Sequence, residues 1–309
     1  MEDVQDKVAF ITGGASGIGL GMARAFVAGG MRVVMADIRE DHVSAALTRF
    51  ESAGQRDRVH GLTLDVTDRT GYARAADDAE RVFGRIDVLC NNAGIGLIGP
   101  LAKCQWGDWD WGIQVMITGV INGIQTILPR IRARREGGHV VNTSSMTGIL
   151  TIPNASIYAM AKSAMVGLSE AMRGELAAEN IGVSAFCPGP VQSNIGETGR
   201  TRPAQFAGAN SGFGELERTL EQRPVSPLWM DALECGERVL AGIRHNDMYI
   251  FTHREFREPM EERCRAIMAA FPDEPRNEAR AREIHFLLAN PIYREGAARP
   301  PRRKSESAP

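Results

Sequence analysis

The chain has 309 residues, of which 43% are hydrophobic and 24% charged, with 36 basic side chains against 38 acidic ones. This composition is typical of a soluble globular protein, and the net charge of −2 gives no reason to expect a nucleic-acid partner. No apolar run approaches the roughly 20 residues that a membrane helix needs, so no membrane partner is expected either. The amino terminus lacks the pattern of a signal peptide, and the five cysteines are scattered. These features predict a cytoplasmic protein without disulfides or a metal site.

Short apolar runs alternate with amphipathic helical patterns over the first 190 residues. Runs that are rich in Val and Ile and apolar almost throughout are typical of parallel strands covered on both faces. The runs lie at 7–12, 32–36, 59–64, 86–90, 139–144 and 182–187, and a further strand is predicted at 248–252. The alternation indicates an α/β fold of Rossmann type, a doubly wound parallel sheet of seven strands with helices on both faces.

The pattern loosens after residue 187. Residues 188–227, which we call the lid, begin with a stretch rich in Gly, Pro, Ser and Asn that shows almost no periodicity. Long irregular stretches in compact domains are usually functional lids or disordered linkers. Helices are predicted near 231–245, 254–270 and 275–289. The predicted parts are a core domain, a C-terminal helical extension near the substrate site and a disordered tail, over 1–252, 253–296 and 297–309.

A glycine-rich loop joins the first predicted strand to the first helix. Its residues Gly13, Ser16, Gly17, Ile18 and Gly19 allow a tight turn and a close approach of the backbone to a pyrophosphate. The free N–H groups and positive dipole end of the helix would face the phosphates. Because the pattern lies between a strand and a helix, it predicts a dinucleotide site.

The second strand ends at Asp37, about 20 residues after the glycine loop. A carboxylate at this position can accept hydrogen bonds from the ribose hydroxyls of adenosine and would repel a 2′-phosphate, so it favours NAD over NADP. Arg39 is the opposing signal, because its guanidinium could turn toward a phosphate. Neither Ala15 nor Ile38 is basic, and NAD is therefore the predicted cofactor.

Three motifs in this order resemble the short-chain dehydrogenase/reductase family. They are Thr12-Gly13-x3-Gly17-x-Gly19, Asn91-Asn92-Ala93-Gly94 and Tyr158-x3-Lys162, and the resemblance covers roughly residues 5–250. It implies that Asp65 and Val66 hold the adenine and that the turn of Asn92, Ala93 and Gly94 supports the sheet behind the cofactor ribose. It also implies that Tyr158 and Lys162 contact the cofactor, and that a loop closes over the nicotinamide carboxamide through Pro188, Gly189, Val191 and Ser193.

Ser145, Tyr158 and Lys162 are the candidate catalytic residues. Oxidation of a secondary alcohol needs a base for the hydroxyl proton while the cofactor takes the hydride. Tyrosine is a poor base at its usual pKa, but Lys162 lies one helical turn from Tyr158, and a nearby ammonium would lower the tyrosine pKa. Ser145 follows a strand end and could hydrogen-bond the substrate oxygen.

Met116 departs from the family pattern. The family usually reads V-N-L-x-G here, and this chain reads Val115-Met116-Ile117-Thr118-Gly119. In the family the asparagine bends its helix and frees a carbonyl for a water linked to the lysine. Methionine lacks the amide, although its backbone carbonyl could still hold that water, so the rate and even the activity are open questions.

Three stretches resemble a subgroup of NAD-dependent Cα-dehydrogenases from bacterial breakdown of lignin β-aryl ethers. They are the C-terminal extension at 253–294, SNIGETGRTRP in the lid at 193–203 and the strand GHVVNTSS at 138–145. That resemblance implies oxidation of a benzylic secondary alcohol to an aryl ketone. Phe206, Phe213 and Trp229 could enclose such a substrate or form the core of a capping helix pair. The tryptophans Trp106, Trp109 and Trp111 are interpreted as packing or interface residues rather than a substrate platform.

Two other functions stay open at this point, the same chemistry on another lipophilic alcohol such as a steroid, and a dinucleotide sensor in which Met116 marks lost catalysis. The intact Ser145, Tyr158 and Lys162 argue against a sensor.

Long helices near 107–135 and 155–179 carry more apolar residues than one sheet face can cover. They predict a homodimer or a homotetramer.

Overall fold

The computed structural model describes residues 1–288 and 290–298. Most of the predicted tail therefore lies outside the described residues. The seven strands are β1 Val8–Thr12, β2 Arg32–Asp37, β3 Val59–Thr63, β4 Val88–Asn91, β5 Gly138–Thr143, β6 Ile181–Cys187 and β7 Tyr249–Phe251. They form a single parallel sheet in the order β3-β2-β1-β4-β5-β6-β7, which confirms the predicted fold.

Helices cover both faces of this sheet and extend past it at the C-terminal end. They are α1 Gly17–Ala28, α2 Glu40–Ser52, α3 Arg69–Phe83, α4 Trp106–Ile113, α5 Gly119–Arg134, α6 Ser156–Leu176, α7 Gly214–Glu221, α8 Ala232–Arg244, α9 Arg257–Ala269, α10 Glu278–Glu283, α11 His285–Leu288 and α12 Pro291–Ala297. One apolar cluster includes Phe26, Met35 and Val239, and another includes Phe10 and Tyr72. Both faces of the sheet are covered, so all five residues of β1 are buried, and the first four of them, 8–11, are apolar.

Helices α1 and α8 touch through their backbones. A Cβ atom on Gly21 would lie 1.8 Å from the carbonyl oxygen of Ala232, and one on Gly236 would lie 2.3 Å from that of Gly21. Two glycines in helix interiors cost stability relative to alanine. Here they permit the close contact that fixes α1, and with it the glycine loop, against the body of the fold.

Helices α4 and α5 form one long rod, Trp106–Arg134, joined by a π-helical segment, Gln114–Thr118. This rod is long and apolar enough, by length and composition alone, to cross a membrane, so the sequence-based statement that no such run exists was wrong. About 44% of its apolar window is buried inside the protein, as in the core helix of a soluble protein. A single helix that meets the criteria of length and composition is weak evidence for a membrane span.

The lid has more local structure than its composition predicts. It holds 3₁₀ turns at Ile195–Thr201, Ala204–Phe206 and Gly208–Asn210, followed by α7. Its anchor is Arg202, whose side chain is only 4% exposed. This guanidinium pairs with Asp108 at 3.0 Å, donates from Nε to Glu217 at 3.0 Å and stacks 4.3 Å from the Trp111 ring. A charged cluster that periodicity cannot reveal therefore holds the lid on α4.

The C-terminal extension consists of α9 to α12. The described residues of α9, α10 and α11 include none that is buried, whereas α12 packs on α6. Ile292 is buried there, and the hydroxyl of Tyr293 donates to Glu170 at 2.7 Å. At the start of the extension, Phe256 packs against the apolar cluster that contains Met146.

Candidate functional site

A cleft of about 390 Å³ opens at the carboxyl ends of the central strands. This is where ligands bind in open α/β sheets. Most of the predicted site residues line it together, namely Gly13, Ser16, Gly17, Ile18, Gly19, Asp37, Asp65, Val66, Asn92, Ala93, Gly94, Tyr158, Lys162, Pro188 and Ser193. Ser145, Gly189, Val191 and Met116 are not among the lining residues. Most of the site residues predicted from the sequence thus line the same cleft.

The glycine loop is shaped for a ligand that approaches the backbone closely. Gly13 and Gly17 have φ angles of +59° and +47°, which strongly favour glycine. A Cβ atom on Gly19 would lie 1.9 Å from the carbonyl oxygen of Gly13. Ser16 caps α1 without a side-chain hydrogen bond and lines the cleft together with Gly17 and Ile18, so the positive dipole end of the helix lies at the cleft. This cradle fits the pyrophosphate of a dinucleotide.

Asp37 and Arg39 lie at one end of the cleft. The Asp37 carboxylate accepts hydrogen bonds from the backbone N–H groups of Ala15, at 3.2 Å, and Arg39, at 3.1 Å. The Arg39 side chain is engaged by two carboxylates. It donates to Asp41 at 2.8 Å and to Glu197 of the lid at 3.3 Å. The guanidinium that opposed the NAD prediction is therefore already paired with acidic groups.

The turn Asn92-Ala93-Gly94 ties β4 to the glycine loop. The Asn92 amide donates to the carbonyl oxygens of Thr12, at 3.0 Å, and Gly13, at 3.2 Å. The Ala93 N–H donates to the Thr12 hydroxyl at 3.1 Å. Beside this turn, Asn122 donates to the carbonyl oxygen of Val66 at 2.8 Å. Asn122 was not predicted, because a single polar residue in an amphipathic helix gives no local signal.

Tyr158 and Lys162 lie one turn apart on α6. The Lys162 ammonium donates to the carbonyl oxygen of Thr143 at 2.9 Å and lies 5.6 Å from the centroid of the Tyr158 ring. Burial lowers the pKa of Lys162 to about 8. Burial raises the pKa of Tyr158, and a hydrogen bond with Ser145 opposes this shift. Burial therefore works against the lowering of the tyrosine pKa that we expected from Lys162.

Ser145 lies just behind the cleft wall, at the end of β5. Its hydroxyl accepts a hydrogen bond from the Thr147 N–H at 3.1 Å and so caps a short 3₁₀ turn. Its contact with Tyr158 keeps the two hydroxyl groups together. Thr143 and Ser144, its neighbours in the chain, border the cleft instead and were missed by the sequence reading.

Met116 lies in the middle of the π-helical segment. Its side chain is 1% exposed and packs in an apolar cluster with Leu97 and Ile157. A π-bulge widens one helical turn and changes the pairing of its backbone carbonyls. The local distortion expected from the family's asparagine is therefore present with methionine, and the Met116 side chain points into the core.

Some residues of the loop after β6 line the cleft, and others pack against neighbouring parts of the fold. Pro188 and Ser193 border the cleft. The Gly189 N–H donates to the Thr252 hydroxyl at 2.9 Å, and a Cβ atom on Gly189 would lie 2.6 Å from Nδ1 of His253. Val191 is buried and forms an isolated bridge with Met230. Gly189 and Val191 therefore hold the loop from behind rather than lining the cleft.

The rest of the cleft lining combines apolar and polar side chains. It contains Ile95, Trp111, Val115, Ile195 and Pro203, together with polar groups from Gln114, Thr198, Thr201 and Gln205. The interpretation of Trp111 as a packing residue was incomplete, because it packs in the core and also borders the cleft.

The lid aromatics are placed differently from the substrate enclosure that we considered. Phe206 and Phe213 are buried in the same apolar cluster as Leu97, and neither they nor Trp229 border the cleft. Within the described residues, no group of three His, Cys, Asp or Glu side chains is arranged to hold a metal ion.

Comparison with known proteins agrees with this geometry. Residues 7–203 match the model of the family described as short chain dehydrogenase. The chain belongs to this family. It is therefore an oxidoreductase that acts on alcohol groups.

Similar proteins are known at full length. A C alpha-dehydrogenase of Sphingobium sp. is 38% identical over 94% of each chain. The crystal structure of the LigO-apo form from Sphingobium sp. strain SYK-6 has a TM-score of 0.73 and 37% identity, covering 93% of this chain and 98% of that one. A short chain dehydrogenase from Burkholderia phymatum, in complex with NAD, has a TM-score of 0.80 and 30% identity, covering 90% and 100%.

Proposed function

We propose that this enzyme oxidises bulky aromatic secondary alcohols to ketones with NAD, and that its substrate is a benzylic Cα-alcohol of the lignin β-aryl ether type. The observation that carries the proposal is the apolar wall of Ile95, Trp111 and Val115 in the same cleft as Tyr158. Such a wall suits an aromatic group on the carbinol carbon. The similarity to a C alpha-dehydrogenase extends over 94% of both chains and favours the aryl ether.

NAD is the cofactor of this enzyme. The backbone cradle at Gly13 and Gly17, where glycine conformations leave room for a pyrophosphate, fits a dinucleotide, and so does the Asp37 carboxylate at the far end of the cleft. We assign the adenine side to Asp65 and Val66 and the nicotinamide side to Pro188 and Ser193. When bound, NAD supplies the acceptor for the hydride from the carbinol carbon.

The chain itself handles the proton and the substrate oxygen. In the proposed reaction the Tyr158 phenolate accepts the hydroxyl proton of the alcohol, and the Ser145 hydroxyl donates a hydrogen bond to the same oxygen. With a pKa near 8, Lys162 is mostly protonated at pH 7, and its positive charge favours the phenolate. Thr143 holds this ammonium in place through its carbonyl oxygen.

The test is a panel of secondary alcohols that includes a racemic β-aryl ether dimer, a hydroxysteroid and cyclohexanol, assayed by NADH absorbance. We expect the ether dimer to have the highest kcat/KM. Trp111→Leu should raise KM for it, while Trp106→Leu, a change at an 83% exposed position on the same helix, should not. A preference for the steroid would replace the aryl ether as substrate. Absence of turnover with every alcohol would favour the sensor.

We also infer a cytoplasmic homodimer or homotetramer. The outer face of α6 carries the exposed residues Met160, Ala164, Gly167, Ala171 and Gly174, spaced four and three apart. A Cβ atom on either glycine would meet no described atom within 4 Å. A stripe of small residues lets a second helix approach closely, and a two-fold axis would pair two copies of this face.

A further inference from the structure

The lid reaches the end of the cleft that holds Asp37 through one ion pair. Arg39, two residues after Asp37, contacts Glu197 of the lid, 158 residues further along the chain. The two side chains are 22% and 28% exposed. Asp37, Arg39, His42 and Glu197 all border this end of the cleft. The lid thus adds a second carboxylate to the region that discriminates between the two dinucleotides.

Glu197 is held in a defined orientation by three donors. The Asn194 amide donates to its Oε1 at 3.1 Å, and the Arg200 and Arg39 guanidinium groups each donate to its Oε2 at 3.3 Å. Burial opposes ionisation of Glu197, but these donors outweigh burial and hold its pKa below the ordinary value. Glu197 is therefore an anion at neutral pH.

Arg39 is the group that could otherwise accept NADP. A guanidinium binds phosphate through paired, charge-assisted hydrogen bonds. In this chain Asp41 accepts from Nε at 2.8 Å and from Nη2 at 2.5 Å, and Glu197 accepts from Nη1. Donors on all three nitrogens of Arg39 are thus engaged by carboxylates.

We propose that Glu197 is a specificity-determining residue for the cofactor, which excludes a 2′-phosphate by pairing with Arg39 and by adding its own negative charge beside Asp37. This inference rests on the proposed cofactor orientation, in which Asp37 holds the ribose hydroxyls. Discrimination against NADP is then shared between strand β2 and the lid. Asp37 is not the sole determinant.

The experiment measures dissociation constants of NADH and NADPH by their fluorescence, and kcat/KM for NAD and NADP with one alcohol. In Glu197→Gln the side chain keeps its size and loses its charge. We expect the ratio of NADPH to NADH affinity to rise about tenfold, as for one charge-assisted contact of about 1.4 kcal/mol. Affinity for NADH should change little, which also reports that the variant is folded.

Two further variants identify the cause. Glu221→Gln removes the other carboxylate that pairs with Arg200, at 2.5 Å, and leaves Arg39 intact, so the ratio should stay at the wild-type value. In the double variant Arg39→Ala, Glu197→Gln, most of the gain in NADPH affinity should disappear, because the Nη1 group of Arg39 that Glu197 no longer holds is its main source.

Three results would overturn the proposal. The first is an unchanged ratio in Glu197→Gln, and the second is a gain that persists in full without Arg39. The third is equal gain in Glu221→Gln, which would show a general effect of net charge. All three leave the alcohol chemistry intact, whereas a wild type that binds neither NADH nor NADPH would refute the proposed function together with this inference.

Discussion

Two buried residues, Met116 and Lys162, are unusual for their positions. Met116 lies in a π-helical segment, and Lys162 is an ionisable side chain in a buried position. Met116 takes a position that the family usually gives to asparagine, yet the helix around it is π-helical. Lys162 keeps an ammonium group at 5% exposure, with the Thr143 carbonyl as its hydrogen-bond acceptor. Lys162 lines the cleft, and the burial of an ionisable group of this kind is commonly found at functional sites.

We expect the wild-type enzyme to be active and Met116→Asn to raise turnover modestly or not at all. The bend is already present, so asparagine would restore one orienting amide, worth roughly 1–3 kcal/mol in the barrier or about 5- to 150-fold in rate. Tyr158→Phe should abolish turnover. Single-turnover hydride transfer in the three proteins measures this, with NADH binding as the check on folding. A wild type as inert as Tyr158→Phe, with activity only in Met116→Asn, would favour the sensor.

The burial of Lys162 predicts that the difference in stability between the wild type and Lys162→Met depends on pH. Its pKa is about 8 in the folded protein against 10.5 for the free side chain. Between these values the unfolded chain keeps a proton that the folded chain has released, so the stability contributed by this group rises with pH. Below about pH 8 the buried charge costs about 2–3 kcal/mol, less the hydrogen bond to Thr143. Lys162→Met should therefore be more stable than wild type at pH 7.

Urea unfolding of both proteins at pH 7 and pH 10 checks this prediction. The advantage of Lys162→Met should shrink at the higher pH, since the wild-type amine is then largely neutral when folded. Comparing the two proteins cancels the titration of the buried cysteines, which both contain. A difference that does not depend on pH would show that Lys162 is not destabilised by its burial.

At the level of elements, the lid is fixed to α4 by a buried cluster of charges. Arg202, Asp108 and Glu217 are each less than about a tenth exposed, and Arg202 stacks on Trp111. The Asp108 carboxylate also accepts hydrogen bonds from Gln105 at the start of α4 and from Gly212 in the lid. The cluster therefore connects α4, which contributes Trp111 to the cleft lining, to the segment 188–227.

Removing Arg202 should be strongly destabilising. Arg202→Leu leaves Asp108 and Glu217 buried without their cation, and breaking a buried pair in this way costs about 3–5 kcal/mol. The matched control is Arg200→Leu, two residues away, whose partners Glu197 and Glu221 lie in partly exposed pairs. Such pairs are worth about 0–1 kcal/mol. Urea unfolding gives both values, and equal losses in the two variants would contradict the assignment of Arg202 as the anchor.

At the level of the whole molecule, we expect two copies of the chain to pair through the outer face of α6. Light scattering at micromolar concentration should give a mass of two or four times the 33.6 kDa of one chain. Ala171→Glu places a charge in the middle of the small-residue stripe and should shift the protein toward smaller species. Ala178→Glu, past the end of the stripe, should not. A wild type found only as a monomer would refute the predicted oligomer.

Local sequence patterns determined the sheet and most of the cleft. Three signals each encode their structure within a few residues, namely the apolar run at 8–11, the glycines at 13 and 17, and the four-residue spacing of Tyr158 and Lys162. A parallel sheet then brings the carboxyl ends of its strands to one edge, so these separate signals converge on one site. The assignment of roles to individual residues stays a prediction.

Tertiary structure alone decided the features that depend on distant contacts. Trp111 borders the cleft while Phe206 and Phe213 are buried in the core, although all three are aromatic residues in helical or irregular segments. Arg39 meets Glu197 across 158 residues, and the Tyr158 pKa rises because the folded chain buries the phenol. Periodicity reports which face of an element is apolar. It does not report which distant segment covers that face, and here that covering segment sets the cleft wall, the charge pairing and the pKa.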